Sequence, residues 1–223
     1  TMALLLAVAR RVPEADAYVR SGRWAKDGFQ PGPWDGMLLE GKTIGIVGFG
    51  QIGRAVARRA EAFGMRIVFH DAKRHDDPRD RPLEALLAES DVVSLHVPLL
   101  PRTRHLLRAP SIALMKRGAI VLNMARGPVV DESALAAALA SGHLGGAGMD
   151  VAENEPDIHP GLLAQRNVVF SPHVGGGTVE SRKQARLICA GNVAEVLRGR
   201  PPLNPVNKPA KPRSAPDRAV TEM

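Results

Sequence analysis

The sequence predicts an α/β fold, a doubly wound parallel sheet preceded by a helix and followed by a disordered tail. Three observations predict it. From Thr43 to Ser171, short and almost wholly apolar runs alternate with stretches of helical period. Those runs lack the polar–apolar alternation of a half-solvated strand, as expected when both faces of a sheet are covered. A glycine triplet, Gly48, Gly50 and Gly53, falls where the first run meets the first helix after it. Alternating β and α elements of this kind build a parallel sheet with helices on both sides.

Each element follows from its residues. Leu5, Val8, Val12, Ala15 and Val19 recur three and four apart and predict one apolar helix face, with a kink or a fresh start at Pro13. Ser21 to Gly41 holds glycines, prolines and both tryptophans, Trp24 and Trp34, and predicts an extended loop or arm. Thr43 to Val47 is the first strand, and Gln51 to Phe63 a helix stopped by Gly64. Arg66 to His70 is a strand, Leu83 to Ala88 a helix and Asp91 to Leu95 a strand. A proline-bounded loop leads to a helix near Ser111 to Lys116. Ala119 to Asn123 is a strand, Glu132 to Ser141 a helix, and Ala147 to Val151 and Asn167 to Ser171 are the last strands. A long helix ends the pattern, with Ala185, Cys189, Val193 and Leu197 four apart. There is no internal repeat.

Composition excludes several function classes. The 223 residues suffice for a sizeable core. A net charge of +7 can signal a nucleic-acid or membrane partner, but much of it lies at the C-terminus. Arg198, Arg200, Lys208, Lys211, Arg213 and Arg218 stand there among six prolines, opposed by Asp217 and Glu222. Such a stretch buries too little apolar surface to order itself and reads as a solvated tail. No basic stripe is interleaved with aromatics, so no nucleic-acid partner is expected. No apolar run approaches the roughly 20 residues of a membrane span, so no membrane partner is expected. The opening run makes a poor secretion signal, because Arg10 and Arg11 follow the apolar residues rather than precede them. The single Cys189 cannot form an intrachain disulfide, which fits a reducing, cytoplasmic setting. No metal site is assigned.

The glycines carry the first chemistry. In "GIVGFGQIGRAV", Gly48 permits a tight turn, Gly50 lets backbone approach a pyrophosphate, and Gly53 lets the helix lie close to the strand. The helix N-terminus then presents free N–H groups and a positive dipole end to phosphate. A glycine-rich turn in some other α/β protein is the alternative. Against it, Asp71 ends the second strand 18 residues past Gly53, where a carboxylate accepts both ribose hydroxyls of NAD and repels the 2′-phosphate of NADP. Lys73 and Arg74 follow it and could soften that preference.

Further candidates lie just past later strands. His173, in "VVFSPHVGGG", sits at the strand edge where ligands of open α/β sheets gather. Arg126, in "VLNMARGPVVD", can clamp a carboxylate with two parallel bonds, or simply cap its loop. Glu155, in "DVAENEP", is a candidate to orient the histidine, or a solvated loop acid. Among the other histidines, His96 could line a cofactor groove or be a satisfied core residue. His70 reads as structural, and His75, His105, His143 and His159 as incidental. A dinucleotide, a carboxylate clamp and a histidine–acid pair on one sheet edge suit hydride transfer between nicotinamide and the carbinol of a hydroxy acid.

Five stretches in order, "GKTIGIVGFGQIGRAVA", "SLHVPLLPRTRHLL", "MKRGAIVLNMARGPVVDESALAAAL", "GAGMDVAENEP" and "NVVFSPHVGGGT", resemble the motifs of the D-isomer-specific 2-hydroxyacid dehydrogenases. The resemblance runs to about Asn207 and implies a Rossmann-like domain binding NAD, a small 2-oxo or 2-hydroxy acid as substrate, and a homodimer. It gives Arg126 the substrate carboxylate, His173 the general-acid role and Glu155 the partner that keeps His173 protonated, since a nearby carboxylate raises a histidine pKa. Asp150 would engage the nicotinamide carboxamide, and Gln51 and Ile52 would offer backbone N–H groups to the pyrophosphate. Val97, Pro98, Thr103, Met124 and Ala125 would line the rest of the groove. By the same resemblance, residues 1–41 are a crossing helix and dimer arm, 42–177 the NAD-binding domain, 178–207 a helix returning to a substrate domain, and 208–223 the tail. Family members begin with that substrate domain, whereas this sequence opens at the crossing helix. A chain that binds NAD(H) without turnover is the alternative function.

Overall fold

The computed structural model describes residues 1–30, 32, 34–73 and 75–207. The basic, proline-rich segment 208–223, expected to be disordered, lies outside the described residues. Six strands form one sheet: β1 (Thr43–Val47), β2 (Arg66–His70), β3 (Val92–Leu95), β4 (Ala119–Asn123), β5 (Leu144–Met149) and β6 (Val168–Phe170). All neighbours are parallel, in the order β2-β1-β3-β4-β5-β6. The chain leaves β1 to one side for β2 and then crosses to the other side for β3. Strand order reverses there, and open α/β sheets bind ligands in the crevice beyond the strand ends at that point.

Period-two burial explains the unbroken apolar runs. Ile44 and Ile46 of β1, Val92 of β3, and Ile120 and Leu122 of β4 point to one face. There they meet α1 (Met2–Ala9) and α4 (Gln51–Ala62), which contribute Leu4, Leu5, Val8, Val56 and Ala60. Val47, Val93, Leu95, Ala119 and Val121 point to the other face. Covering them are α5 (Leu83–Glu89), α6 (Ala109–Ala113), α7 (Glu132–Ala140) and the turn of helix α8 (Pro160–Leu163). In β1, β3 and β4, where every residue is buried, each side chain is removed from water, worth about 1.5–3 kcal/mol for a Val, Leu or Ile.

The opening segment departs from expectation. Leu5 and Val8 are buried on the sheet, but Val12 and Val19 are exposed, so the apolar face does not run on through Pro13. The chain turns at Arg11, whose φ is 54°, and restarts as α2 (Val12–Arg20), with Pro13 in its first turn, where a missing N–H costs nothing. The arm after it is not wholly extended. A short helix, α3 (Arg23–Asp27), forms at its start, tied back by a Tyr18 hydroxyl donating to Asp27 at 2.8 Å. β5 begins three residues earlier than its sequence suggests, because Gly145 and Gly146 hide a strand start that only the pairing with β4 reveals.

The chain divides into two compact units, Thr1–Gly175 and the remainder from Gly176. Among the described residues, the second consists mainly of α9 (Val179–Leu197), opened by a capping box in which Thr178 and Ser181 each bond the other's backbone N–H. No helix of the described residues is long and apolar enough to cross a membrane.

Candidate active site

Every candidate residue except those in the tail and arm lies past the C-terminal end of a strand, on one edge of the sheet. The glycine loop follows β1. Gly48 adopts φ +95°, and a Cβ there would come within 2.5 Å of the His96 carbonyl oxygen. At Gly53 a Cβ would lie 2.2 Å from the Gly48 carbonyl oxygen, so only glycine lets α4 sit this close to its own strand. Gly50 differs: a Cβ there would meet nothing within 4 Å. It is the N-cap of α4, so the N–H groups of Gln51 and Ile52, at the first two helical positions, have no acceptor within the helix.

Beside this loop runs a groove of about 460 Å³, lined by Gly48, Gly50, Asp71, Val97, Pro98 and Thr103 among others. Thr103 shapes it indirectly, since its hydroxyl donates to Pro98 O at 2.6 Å and accepts from Leu100 N at 2.8 Å. Asp71 directly follows β2 and accepts from the backbone N–H of Phe49 (2.7 Å) and Lys73 (3.1 Å). Burial pushes its pKa up, but these donors and His75 outweigh burial and hold the carboxylate below its usual range, so it stays charged. Arg74 lies outside the described residues. His96 lines the same groove, its Nε2 bonded to the Ser94 hydroxyl at 2.8 Å. Burial pushes its pKa down to about 4, so it is neutral at physiological pH. His96 lines the groove, but its buried Nδ1 has no hydrogen-bond partner among the described residues, so the reading as a satisfied core residue does not hold.

The second part of the site lies past β4, β5 and β6. Asn123, fully buried at the end of β4, accepts from Ala125 N at 3.1 Å and donates to Arg126 O at 3.1 Å, which fixes the turn carrying Met124, Ala125 and Arg126. Arg126 itself is exposed, with one guanidinium N–H on Ala125 O at 2.6 Å. Gly127 follows, and a Cβ there would fall 1.7 Å from Ala152 O, so this turn is pressed onto the loop after β5.

That loop carries Glu155, which meets His173 of the loop after β6. Glu155 Oε2 lies 2.9 Å from His173 Nδ1. A carboxylate only accepts, so Nδ1 carries the proton of this bond and Nε2 is left for a ligand. Glu155 Oε1 accepts from Ala152 N at 3.1 Å. The bond from His173, first among several contributions that include the Arg126 charge, holds Glu155 below the usual carboxylate range. His173 sits at φ 53°, pinned by its N–H on Asp150 O at 2.8 Å. The two side chains keep 50% and 40% of their surface and line a cleft of about 190 Å³ with Asp150, Ala152 and Ser171.

Asp150 is only 4% exposed. Its Oδ1 accepts from Val174 N (3.0 Å) and the Ser171 hydroxyl, its Oδ2 from Gly175 N (2.8 Å). The carboxylate thus shapes the 171–175 loop. The other histidines have structural partners. His70 Nδ1 bonds Arg81 O at 2.9 Å and His143 Nε2 bonds Ile112 O at 3.0 Å. His75 lies edge-on to Phe69, and His159 Nδ1 accepts from Gly161 N at the start of α8. His105 donates to Glu153 at 2.6 Å, a partnership its own context does not announce. Sequence reasoning missed Asn123, Glu132 and Glu153. A polar residue closing an apolar strand, as in "VLN", was the one available signal. Among the described residues no group of three or more His, Cys, Asp or Glu side chains is placed to hold a metal ion.

Comparison with known proteins agrees with this geometry. The D-isomer specific 2-hydroxyacid dehydrogenase, NAD binding domain, matches residues 2–175. Glyoxylate reductase of Thermococcus litoralis is 46% identical over 222 residues, covering 96% of this chain and 67% of that protein. Glyoxylate reductase of Korarchaeum cryptofilum is 48% identical over 214 residues, covering 92% and 64%. The crystal structure of the TT0316 protein of Thermus thermophilus superposes with a TM-score of 0.88 at 49% identity, covering 92% of this chain and 66% of that one. An NADPH-dependent glyoxylate/hydroxypyruvate reductase of Sinorhizobium meliloti, solved with NADP and malonate, does so with a TM-score of 0.87 at 33% identity, covering 96% and 67%. The chain therefore spans about two thirds of the length of these relatives. With the glycine loop, the charged Asp71 and the Glu155–His173 pair on one sheet edge, and this domain matched over residues 2–175, the chain belongs to the D-isomer specific 2-hydroxyacid dehydrogenases as their NAD-binding domain.

Proposed function

We propose that this chain is the cofactor-binding and catalytic part of an oxidoreductase that reduces a 2-oxo acid of the glyoxylate or hydroxypyruvate type to its D-2-hydroxy acid, with NADH preferred. One observation carries the reading: the Glu155–His173 bond at 2.9 Å, on the sheet edge that also bears the glycine loop. Gly48, Gly50 and Gly53, with the N–H groups of Gln51 and Ile52, would hold the pyrophosphate. Asp71 would take the ribose hydroxyls and disfavour a 2′-phosphate. Val97, Pro98, Thr103, Met124 and Ala125 would wall the groove, and Asp150 Oδ2 would accept from the carboxamide. When bound, NADH supplies the hydride. Arg126 pairs with the substrate carboxylate and turns the carbonyl toward the nicotinamide. His173 gives the Nε2 proton to the carbonyl oxygen as the carbon is reduced, and takes it back in the reverse direction. Glu155 holds Nδ1–H, so the imidazole presents Nε2 and its positive form is stabilised.

The domain reading extends the proposal. Residues 1–41 serve as crossing helix and dimer arm, 42–177 as the cofactor domain and 178–207 as the helix that returns to a substrate domain. A homodimer is supported by the arm, where Trp24 is 52% exposed and Trp34, half-buried, has Tyr18 and Arg11 against its ring. Titration of the chain with NADH and NADPH, followed by NADH oxidation with a panel of 2-oxo acids, tests the function. NADH binding with turnover supports it. NADH binding without turnover of any 2-oxo acid would make the chain a binding module, and no binding of either cofactor would remove both readings.

A further inference from the structure

Beneath the Glu155 loop lies a carboxylate that the proposed chemistry does not use. Glu132 opens α7, next to the N-cap Asp131, whose own side chain takes Ala134 N at 3.0 Å. Glu132 is 4% exposed. A buried carboxylate is costly unless its charge is met by donors. The donors are two backbone N–H groups: Oε1 accepts from Glu153 N at 2.8 Å and Oε2 from His159 N at 3.2 Å. These amides bracket the segment that carries Glu155. The first turn of a helix also favours negative charge, so the buried carboxylate is stabilised from its own side as well. Glu153, whose amide is held this way, extends its side chain to His105 at 2.6 Å, in the loop that walls the cofactor groove. His105 N–H in turn bonds Pro128 O at 2.8 Å, in the turn after Arg126.

We propose that Glu132 is a positioning residue for the catalytic pair: its two oxygens clamp both ends of the 153–159 segment and so hold Glu155 at hydrogen-bond distance from His173. Other ties act on the ends of the segment: the Glu153 side chain on His105, the Ile158 side chain packed on the core, and the His159 carbonyl oxygen accepting from Leu162 N at 2.9 Å. Its middle is exposed, at Asn154, Glu155, Pro156 and Asp157, where Asp157 N bonds Asn154 O at 2.9 Å. Without Glu132 the two amides lose their acceptor, and the segment must shift to satisfy them elsewhere. The 2.9 Å contact tolerates little such movement, because hydrogen bonds weaken steeply beyond normal reach. Glu132 touches neither substrate nor cofactor, so its effect passes through Glu155. The inference rests on the proposed role of the Glu155–His173 pair, but its test does not need turnover.

The test follows the Glu155 carboxyl by carbon-13 NMR in this chain, with neither cofactor nor substrate added. The reference variants are Glu155→Gln, for assignment, and His173→Ala, which removes the bond outright. In Glu132→Gln one acceptor oxygen is kept and the other is replaced by an amide that cannot accept. The Glu155 titration is expected to move upward, by at least half the way to its position in His173→Ala, while the protein still melts cooperatively. Glu132→Ala should move it the full distance. A Glu155 titration unchanged in a folded Glu132→Gln overturns the proposal, since a carboxylate that only stabilises the fold lowers the melting temperature and leaves Glu155 alone. Deuterium exchange keeps the idea testable if both variants fail to fold: the amides of Glu153 and His159 should exchange slowly in the unmodified chain, and fast exchange at both refutes the clamp. A chain that fails to bind NADH yet shows these signals sinks the proposed function and leaves the clamp standing.

Discussion

Alanine at Gly53 and alanine at Gly50 should fail for different reasons. Gly53 lies at the third helical position of α4, where alanine is ordinarily better than glycine by about 1 kcal/mol. Here its Cβ would stand 2.2 Å from the Gly48 carbonyl oxygen, nearly an ångström inside the closest approach such atoms tolerate, and the obstacle is backbone. Overpacking of this kind costs about 1–3 kcal/mol. The helix gain offsets part of it, leaving a net loss of about 0–2 kcal/mol, and 1 kcal/mol corresponds to a melting shift of about 2–4 °C in a domain of this size. Relief must come from moving α4 away from β1, which also withdraws the N–H groups of Gln51 and Ile52. Gly53→Ala should therefore melt lower and bind NADH at least tenfold more weakly. Gly50→Ala, with no protein atom within 4 Å of the added carbon, should keep its melting temperature and lose NADH affinity alone. Thermal melts and fluorescence titrations on the two variants decide it. A Gly53→Ala chain that melts as high as the unmodified one and binds NADH equally would refute the close-approach argument. A Gly50→Ala chain with undiminished affinity would remove the pyrophosphate from that space.

Three further outcomes follow from the same geometry. Asp71→Ala should narrow the preference for NADH over NADPH, and equal or tighter NADPH binding to the unmodified chain would discard the role given to Asp71. Because Glu155 is held below the ordinary glutamate range, its pair with His173 adds stability that is fully present above about pH 4.3, the unfolded value, and is lost as pH falls through the lower folded value. Both side chains are 40–50% exposed, so the contribution should not exceed about 1 kcal/mol, and melts of the unmodified and Glu155→Gln chains should differ at pH 6 and converge as the solution is acidified. Sedimentation at tens of micromolar should show a dimer, and Trp24→Arg should shift it toward monomer; a monomer of the unmodified chain would mean that the arm is not an interface.

Local patterns were enough for much of this molecule. The glycine loop, Asp71 and the strand-end positions of Arg126, Glu155 and His173 each announce themselves within a dozen residues, because turn chemistry and burial are local demands. What joins them is not local. Glu155 and His173 are 18 residues apart, Glu132 and Glu153 21, and His105 and Glu153 48, and no periodicity encodes such pairs. The opening segment misled in part: the fresh helix start expected at Pro13 is there, but Val12 and Val19 do not continue the buried face. Its spacing fits one continuous face, but the left-handed turn at Arg11 redirects the chain, and only α1 reaches the sheet. Gly145 and Gly146 concealed the start of β5, since glycine weakens a strand signal even where close packing requires it.

The most direct measurement compares the unmodified chain with His173→Ala for oxidation of NADH by glyoxylate, both at saturating NADH, with NADH affinity measured separately. The account predicts turnover in the first, a loss of about 10²–10⁴-fold in the second and nearly equal NADH affinity in both. Equal rates in the two chains, or no turnover of any 2-oxo acid by the unmodified chain, would contradict it.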